Sequence, residues 1–388
     1  MTTRRRRTAL RRSLPLSALL VCLCLCACGG SPSGGPLTGG PVLDLFRAAA
    51  KSTAPDVDVL GDGKVHLLQT FTGGVRTAWT LRDSDVPLLS LTDAAGVRRI
   101  TTYQKGKPAR TTELSVNGSN LLSIRQTFFA TSADLPDIRE SWTESAGQTS
   151  VEVTREEAPA HDGQFDVVGT FTRERGDADL GVPAAGSNCS SAQGSALQDA
   201  IKAMVPAAFD CLQGLDRSLA LRMAQAVATF NYAVLCGGPS STLNGLFEQG
   251  LDGRGGGTIL VYDGAFSAGE LAQTLLHELL HDKALLGSHQ NGNPDSDPGD
   301  RVYGCARACF AKSGSSISCA ACGLVPNGDP KCNGYRQASC AAVTYCSCNN
   351  SFYTDEQACT AACKADLSCS FGNVCGPVTA GETAGVCP

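Results

Sequence analysis

The chain has 388 residues, of which 42% are hydrophobic, 18% charged and 6% aromatic. That is enough apolar material for two or three domains with real cores, which excludes an intrinsically disordered protein. No apolar run reaches the roughly 18–20 residues that a membrane-spanning helix needs, and the formal charge of −5 gives no basic surface for nucleic acid.

Arg4 to Arg7, Arg11 and Arg12 precede a 14-residue apolar stretch from Leu14 to Ala27. A charged start before a short apolar run is an export signal, so residues 1–27 are set apart from the fold. Its loss lowers Lys+Arg from 32 to 26 against 37 Asp+Glu, a net charge near −11. The sequence Leu25-Cys26-Ala27-Cys28-Gly29-Gly30 resembles a bacterial lipoprotein signal at Leu25, Ala27 and Cys28, with Cys26 less usual at its place. The resemblance implies a diacylglyceryl anchor on Cys28, a membrane partner through that lipid, a place in the bacterial cell envelope, and a flexible tether over 28–43. A plain secretory signal is the alternative. Both take the protein out of the cytoplasm.

Cysteine usage agrees with export. Of twenty cysteines, sixteen follow the signal, and thirteen of those fall between Cys305 and Cys387. Such density outside a reducing cytosol reads as a disulfide framework over 305–388. Cys319-Ala-Ala-Cys322 has the CxxC spacing of redox and zinc sites, but among so many cysteines it reads as halves of two structural bridges.

Residues 44–180 read as an antiparallel β domain, a meander or sandwich. Eight segments rich in Val, Ile, Thr and aromatics are expected as strands: Val65 to Thr72, Arg76 to Arg82, Val97 to Tyr103, Ala109 to Val116, Asn120 to Phe129, Ile138 to Thr143, Ser150 to Glu156 and Phe165 to Thr172. Turn residues such as Gly73-Gly74, Gly106 and Asp162-Gly163 separate them. His66 and His161 are isolated and read as ordinary strand or loop residues. A binding, spacer or inhibitory role fits this region equally. Helical periodicity follows over Ala196 to Met204, broken by Pro206, and over Asp216 to Leu235. After a glycine run, Thr258-Ile259-Leu260-Val261-Tyr262 is a compact stretch expected to form one buried strand.

The chemistry is concentrated in His277-Glu278-Leu279-Leu280-His281. Ser267-Ala268-Gly269-Glu270 has the form of a capping box, which predicts a helix from about Ala268 that Gly287 can end. Residues four apart share a helix face, so both imidazoles can bind one metal, with Glu278 turned about 100° aside to hold and deprotonate a water. Three of only five histidines (His277, His281, His289) lie within thirteen residues. His289 follows the helix-ending Gly287 and is the first choice for a third ligand. Catalytic zinc keeps a position open for water, whereas structural zinc is usually closed by four protein ligands.

These residues resemble the zincin metallopeptidases over about Thr258 to Gly304. The resemblance implies Zn²⁺, a peptide or protein substrate, a zincin-like catalytic domain over 189–304, and pairing of extended substrate with Thr258 to Tyr262. The metzincin pattern fails, because Ala284 stands where its glycine would be and all methionines lie upstream. Thermolysin-like enzymes need a downstream glutamate, and only Glu356 and Glu382 remain. The sequence is more similar to the deuterolysin-like (aspzincin) group, whose GTxDxxYG motif is matched in two pieces. Gly287-Ser288-His289 resembles its first part, and Asp300-Arg301-Val302-Tyr303-Gly304 its second, split by an acidic, turn-rich insertion from Gln290 to Gly299. That insertion reads as a solvated loop rather than a Ca²⁺ site, since EF-hand spacing is missing. The resemblance leaves His289 and Asp300 as rival third ligands and implies Tyr303 as an oxyanion donor, against a packed loop tyrosine. The expected fold class is α+β multidomain and the expected activity an exported, lipid-anchored zinc metalloendopeptidase with Glu278 as general base. Its rivals are a surface-binding lipoprotein around a structural zinc and a zinc amidohydrolase acting on cell-wall peptide.

Overall fold

The computed structural model describes residues 37, 40–117, 121–130, 133–145, 148, 150–174, 189–240, 243–251, 253–287, 301–310 and 322, together with the backbone of short strands within 343–387. The export signal, Cys28, most of the tether, Cys319, His289 and Asp300 lie outside the described residues.

A helix crosses from the end of the expected tether into the region expected as β structure: α1, Pro41–Lys51. Proline sits in its first turn, where a missing N–H costs nothing. Leu43, Phe46 and Ala49, at helical spacing, form its buried stripe. The sheet that follows holds its C-terminal end. Gln69 donates to the carbonyls of Ser52 and Ala54, both at 3.1 Å, and Arg76 donates to that of Ala50 at 2.6 Å.

Ten strands then form one antiparallel meander in sequence order. They are β1 (Asp56–Asp58), β2 (Val65–Thr72), β3 (Val75–Asp83), β4 (Val86–Ala94), β5 (Val97–Gln104), β6 (Lys107–Val116), β7 (Leu122–Phe128), β8 (Asp137–Glu144), β9 (Ser150–Ala158) and β10 (Asp166–Glu174). Tight turns link them, and Gly73-Gly74 occupies left-handed backbone at both positions (φ 59° and 80°), as a two-residue hairpin requires. All eight expected strands are present. The sequence pattern missed two strands: β1, only three residues long, and β4, where a register shift opposite Arg82 and Pro87 buries the adjacent Leu88 and Leu89 and breaks the alternation.

One face of the sheet changes character along its width. Across β2 to β4 it presents Leu67, Trp79, Leu81, Leu89 and Leu91 to the helices. Across β6 to β8 it adds polar Thr112, Gln126 and Glu140 to the buried Leu114, Ile124 and Trp142, with Gln126 donating to Thr112 Oγ1 at 3.0 Å.

The helical part begins with α2 (Ser191–Leu215), capped by a reciprocal Ser190–Gln193 box, and α3 (Arg217–Thr229), capped by Asp216. Pro206 does not end the first helix as the sequence suggests. It lies inside α2, where burial of Met204, Val205, Ala208 and Phe209 around it offsets the lost backbone hydrogen bond. The second helix stops earlier than expected. Phe230, Tyr232 and Val234 are buried at period two, and Asn231–Gly238 is strand β11. It pairs in parallel with β13 (Gly256–Tyr262), which also pairs antiparallel with β12 (Gly245–Gln249), so the order is β11-β13-β12. Short helices α4 (Asp263–Ala268), α5 (Leu271–Leu280) and α6 (Arg301–Phe310) follow.

Disulfides join Cys189 to Cys236, Cys211 to Cys309 and Cys305 to Cys322. The expectation that Cys322 belongs to a structural bridge agrees with this pairing. α6 also crosses residue 305, where the sequence divides the catalytic from the cysteine-rich region, and Cys309 ties it to α2. Beyond it, β14 (Val343–Cys348), β15 (Ser351–Tyr353), β16 (Ser370–Cys375) and β17 (Gly385–Cys387) form an antiparallel sheet in the order β15-β14-β16-β17.

The hydrophobic core is continuous from Leu37 and Phe46 through the ten-stranded sheet to α5 and α6. Trp79 of β3 meets Phe230 with ring centroids 6.4 Å apart, and Arg217 of α3 pairs with Asp83 of β3 at 2.7 Å.

His66 lies in β2 and His161 in the loop after β9, the strand and loop positions expected. The Asp137 carboxylate, 3.1 Å from His161 Nδ1, raises that ring above its ordinary 6.5, helped by the Ala133 carbonyl. A raised histidine contributes stability that is full below the unfolded value and is lost as pH rises through the folded one. NMR titration should find the His161 midpoint above 6.5, returning toward 6.5 in Asp137→Asn.

Candidate metal centre

The motif helix α5 does not start as the capping-box pattern predicts. Ser267 instead belongs to α4, where its hydroxyl donates to the Asp263 and Gly264 carbonyls. Gly269, left-handed at φ 67°, ends α4, and Glu270 precedes α5 without a side-chain cap. Glu270 accepts from Asn244 at 3.2 Å. Leu275, Leu276, Leu279 and Leu280 are all fully buried, so apolar packing fixes the rotation of α5. The helix ends at Leu280, ahead of Gly287, and the N–H groups of Leu286 and Gly287 both return to the Leu280 carbonyl.

His281 caps this helix in right-handed backbone (φ −70°, ψ −11°), so its offset from His277 is that of a continuous helix. His277 Nε2 and His281 Nε2 stand 3.2 Å apart. Two donors about 2.0–2.1 Å from a tetrahedral ion are separated by roughly 3.3 Å, so the two nitrogens are spaced for one metal. The second nitrogen of His281 settles its tautomer. Nδ1 lies 2.9 Å from the Gly287 carbonyl, which can only accept. Nδ1 therefore carries a proton, which makes Nε2 the nitrogen through which the neutral ring would ligate.

Glu278 Oε1 is 4.0 Å from His277 Nε2, beside the imidazole pair rather than bonded within it. All three donor atoms lie within 4.8 Å of one another, the one such group of three among the described residues. His277 and Glu278 are buried and His281 is half-buried. The Tyr303 ring of α6 packs on His277, centroids 4.3 Å apart, and the Arg307 guanidinium stands 4.9 Å from the same Tyr303 ring. The structure thus brings together His277, Glu278, His281 and Tyr303. Of the proposed third ligands, His289 and Asp300 are both outside the described residues.

The strand assignment changes. Ile259 to Tyr262 are buried as expected and Thr258 is half-buried, but the stretch lies in β13, paired on both sides, and has no free edge for a peptide. The strand on the outer side toward α5 is β12. Its Gly245 runs so close that an added Cβ would lie 2.6 Å from both Glu278 Oε1 and Thr274 Cγ2.

Sequence reasoning also missed the polar cluster behind the helix. Asp282 is fully buried, accepting from the Tyr232 hydroxyl at 2.9 Å and the Ala284 N–H at 2.6 Å. Burial raises its carboxyl, against the pull of those donors and of Arg110 and Lys283. Burial also lowers Arg110 to about 10, and nearby Asp282 opposes that shift. A charged residue beside His281 amid leucines is the one sequence signal of this cluster; Arg110 and Tyr232 give none. Comparison of the chain with protein-family models, curated proteins and solved structures finds no match.

Gly245→Ala should destabilise the fold by about 1–3 kcal/mol, the usual cost of overpacking. A lowered urea midpoint at unchanged slope would report it.

Proposed function

We propose that this chain is an exported, lipid-anchored zinc metallopeptidase of zincin type. The observation that carries the reading is the pair of imidazole nitrogens 3.2 Å apart with the Glu278 carboxylate beside them. His281 is held in the ligating tautomer, and imidazole donors of this kind suit zinc. His277 and His281 hold the ion, with His289 or Asp300 completing the set. Bound there, zinc lowers the pKa of a water and polarises the carbonyl under attack.

The remaining steps belong to the protein. Glu278 takes the proton from the attacking water and returns it to the departing amine. Tyr303, against His277, supplies a hydroxyl toward the developing oxyanion. The outer edge of β12 offers main-chain groups to an extended peptide beside Glu278, in the role that the resemblance gave to β13. The signal-like start, Cys28 and the three disulfides support an extracytoplasmic life. No helix among the described residues is long and apolar enough to cross a membrane.

Glu278→Gln separates this reading from a binding protein around a structural zinc. The variant should keep its zinc while casein cleavage falls by about 10²–10⁴-fold, the usual contribution of a general base. Cleavage within a few-fold of wild type would overturn the assignment. A wild-type enzyme that ignores casein but hydrolyses cell-wall peptide would redirect it to an amidohydrolase.

A further inference from the structure

His281 can ligate only while its ring keeps its tautomer and direction, and the Gly287 carbonyl fixes both. That carbonyl closes the turn from Asp282 to Gly287, which leaves α5 and exposes further carbonyls on its outer side. One residue collects them. Arg110, from β6 of the N-terminal sheet, donates Nη2 to Lys283 O at 2.6 Å and to Leu285 O at 3.1 Å, and Nη1 to Leu286 O at 2.8 Å. Arg222 of α3 adds a bond to Leu285 O at 3.2 Å.

The fit at the end of the turn is equally close. Gly287 is left-handed at φ 79°, and a Cβ there would lie 2.6 Å from Arg110 Nη1. The guanidinium thus fills the space that any side chain at 287 would occupy. From β8, the Trp142 ring meets Lys283, with Nζ 5.3 Å from the ring centroid. A planar guanidinium presents its donors in a rigid fork, so it fixes three carbonyls relative to one another, which a lysine ammonium cannot do. Burying such a cation is a poor route to stability by itself. Its contacts instead converge on the peptide group next to the one that holds His281.

We propose that Arg110 is a positioning residue for His281: by clamping the Lys283–Leu286 carbonyls it fixes the Gly287 carbonyl, so the N-terminal sheet sets the metal affinity of the centre. This rests on the zinc reading above. Groups that orient ligating histidines commonly change metal affinity by 10–100-fold when removed. It follows that the sheet stays with the active protein and is not discarded as a propeptide, since its loss would strip the turn of its donors and open a shared core.

The test measures the zinc dissociation constant of the full mature chain by competition with a chromophoric chelator. Variants are Arg110→Met, Arg110→Lys and Arg217→Met, the last removing a sheet-to-α3 ion pair remote from the turn. Arg110→Met should raise the constant about 10–100-fold and alter the visible spectrum of the Co²⁺-substituted protein. Arg110→Lys should fall between it and wild type, and Arg217→Met should stay within about threefold of wild type while losing thermal stability. A folded Arg110→Met with wild-type affinity and spectrum overturns the proposal. If that variant does not fold, Gly287→Ala, which displaces Nη1, replaces it, and unchanged affinity there and in Arg110→Lys overturns it equally. A wild-type chain that binds no zinc overturns the zinc reading itself, and the inference with it.

Discussion

The geometry of the centre depends on the sealing of one short helix. α5 carries leucines at 275, 276, 279 and 280, and each is fully buried. A helix enclosed in this way cannot roll or slide without opening voids, and voids in close-packed interiors are expensive. The imidazoles of His277 and His281 therefore inherit their separation from backbone periodicity and their direction from the packing of their neighbours. The long sheet and the helices form one core around α5, which joins the N-terminal half of the chain to the centre.

Sealing an ionisable motif inside a core brings a difficulty of its own. The chain leaving α5 carries Asp282 and Lys283 into the interior along with several carbonyls. Each must be met by a donor or a compensating charge, because an unpaired buried polar group costs more than a formed bond returns. Tyr232 and the Ala284 N–H answer Asp282, the Trp142 ring faces Lys283, and Arg110 with Arg222 answers the carbonyls. The inner face of the sheet is mainly apolar across β2 to β4, and across β6 to β8 it adds buried Thr112, Gln126 and Glu140 beside Leu114, Ile124 and Trp142.

The parts of this arrangement legible in the sequence were those with local causes. Strict alternation put β2 at Val65–Thr72, and the i, i+4 spacing put His277 and His281 on one face. Where a distant partner decided the outcome, local pattern misled. β4 hid behind Pro87 and the adjacent Leu88-Leu89, because only the register against β3 explains why both are buried. Asn231 to Leu235 continues a run with helical periodicity, and only the pairing of Asn231–Gly238 with β13 makes it a strand. Pro206 marked a helix end that packing overrode. Thr258–Tyr262 was recognisable as buried, but its central position needed β12, whose five residues give no clear signal. Arg110 was unreadable, since its partners are main-chain carbonyls far away in sequence and carry no side-chain signature.

The proposed ion sits on the imidazoles of His277 and His281 and not among the many thiols of the chain. X-ray absorption at the zinc edge, on the mature full-length chain loaded with one equivalent of metal, tests this most directly, because sulfur and imidazole scatter differently and at different distances. The expected result is a first shell of nitrogen and oxygen with at least two imidazoles and no sulfur. A thiolate shell, or a chain that takes up no zinc at all, would contradict it.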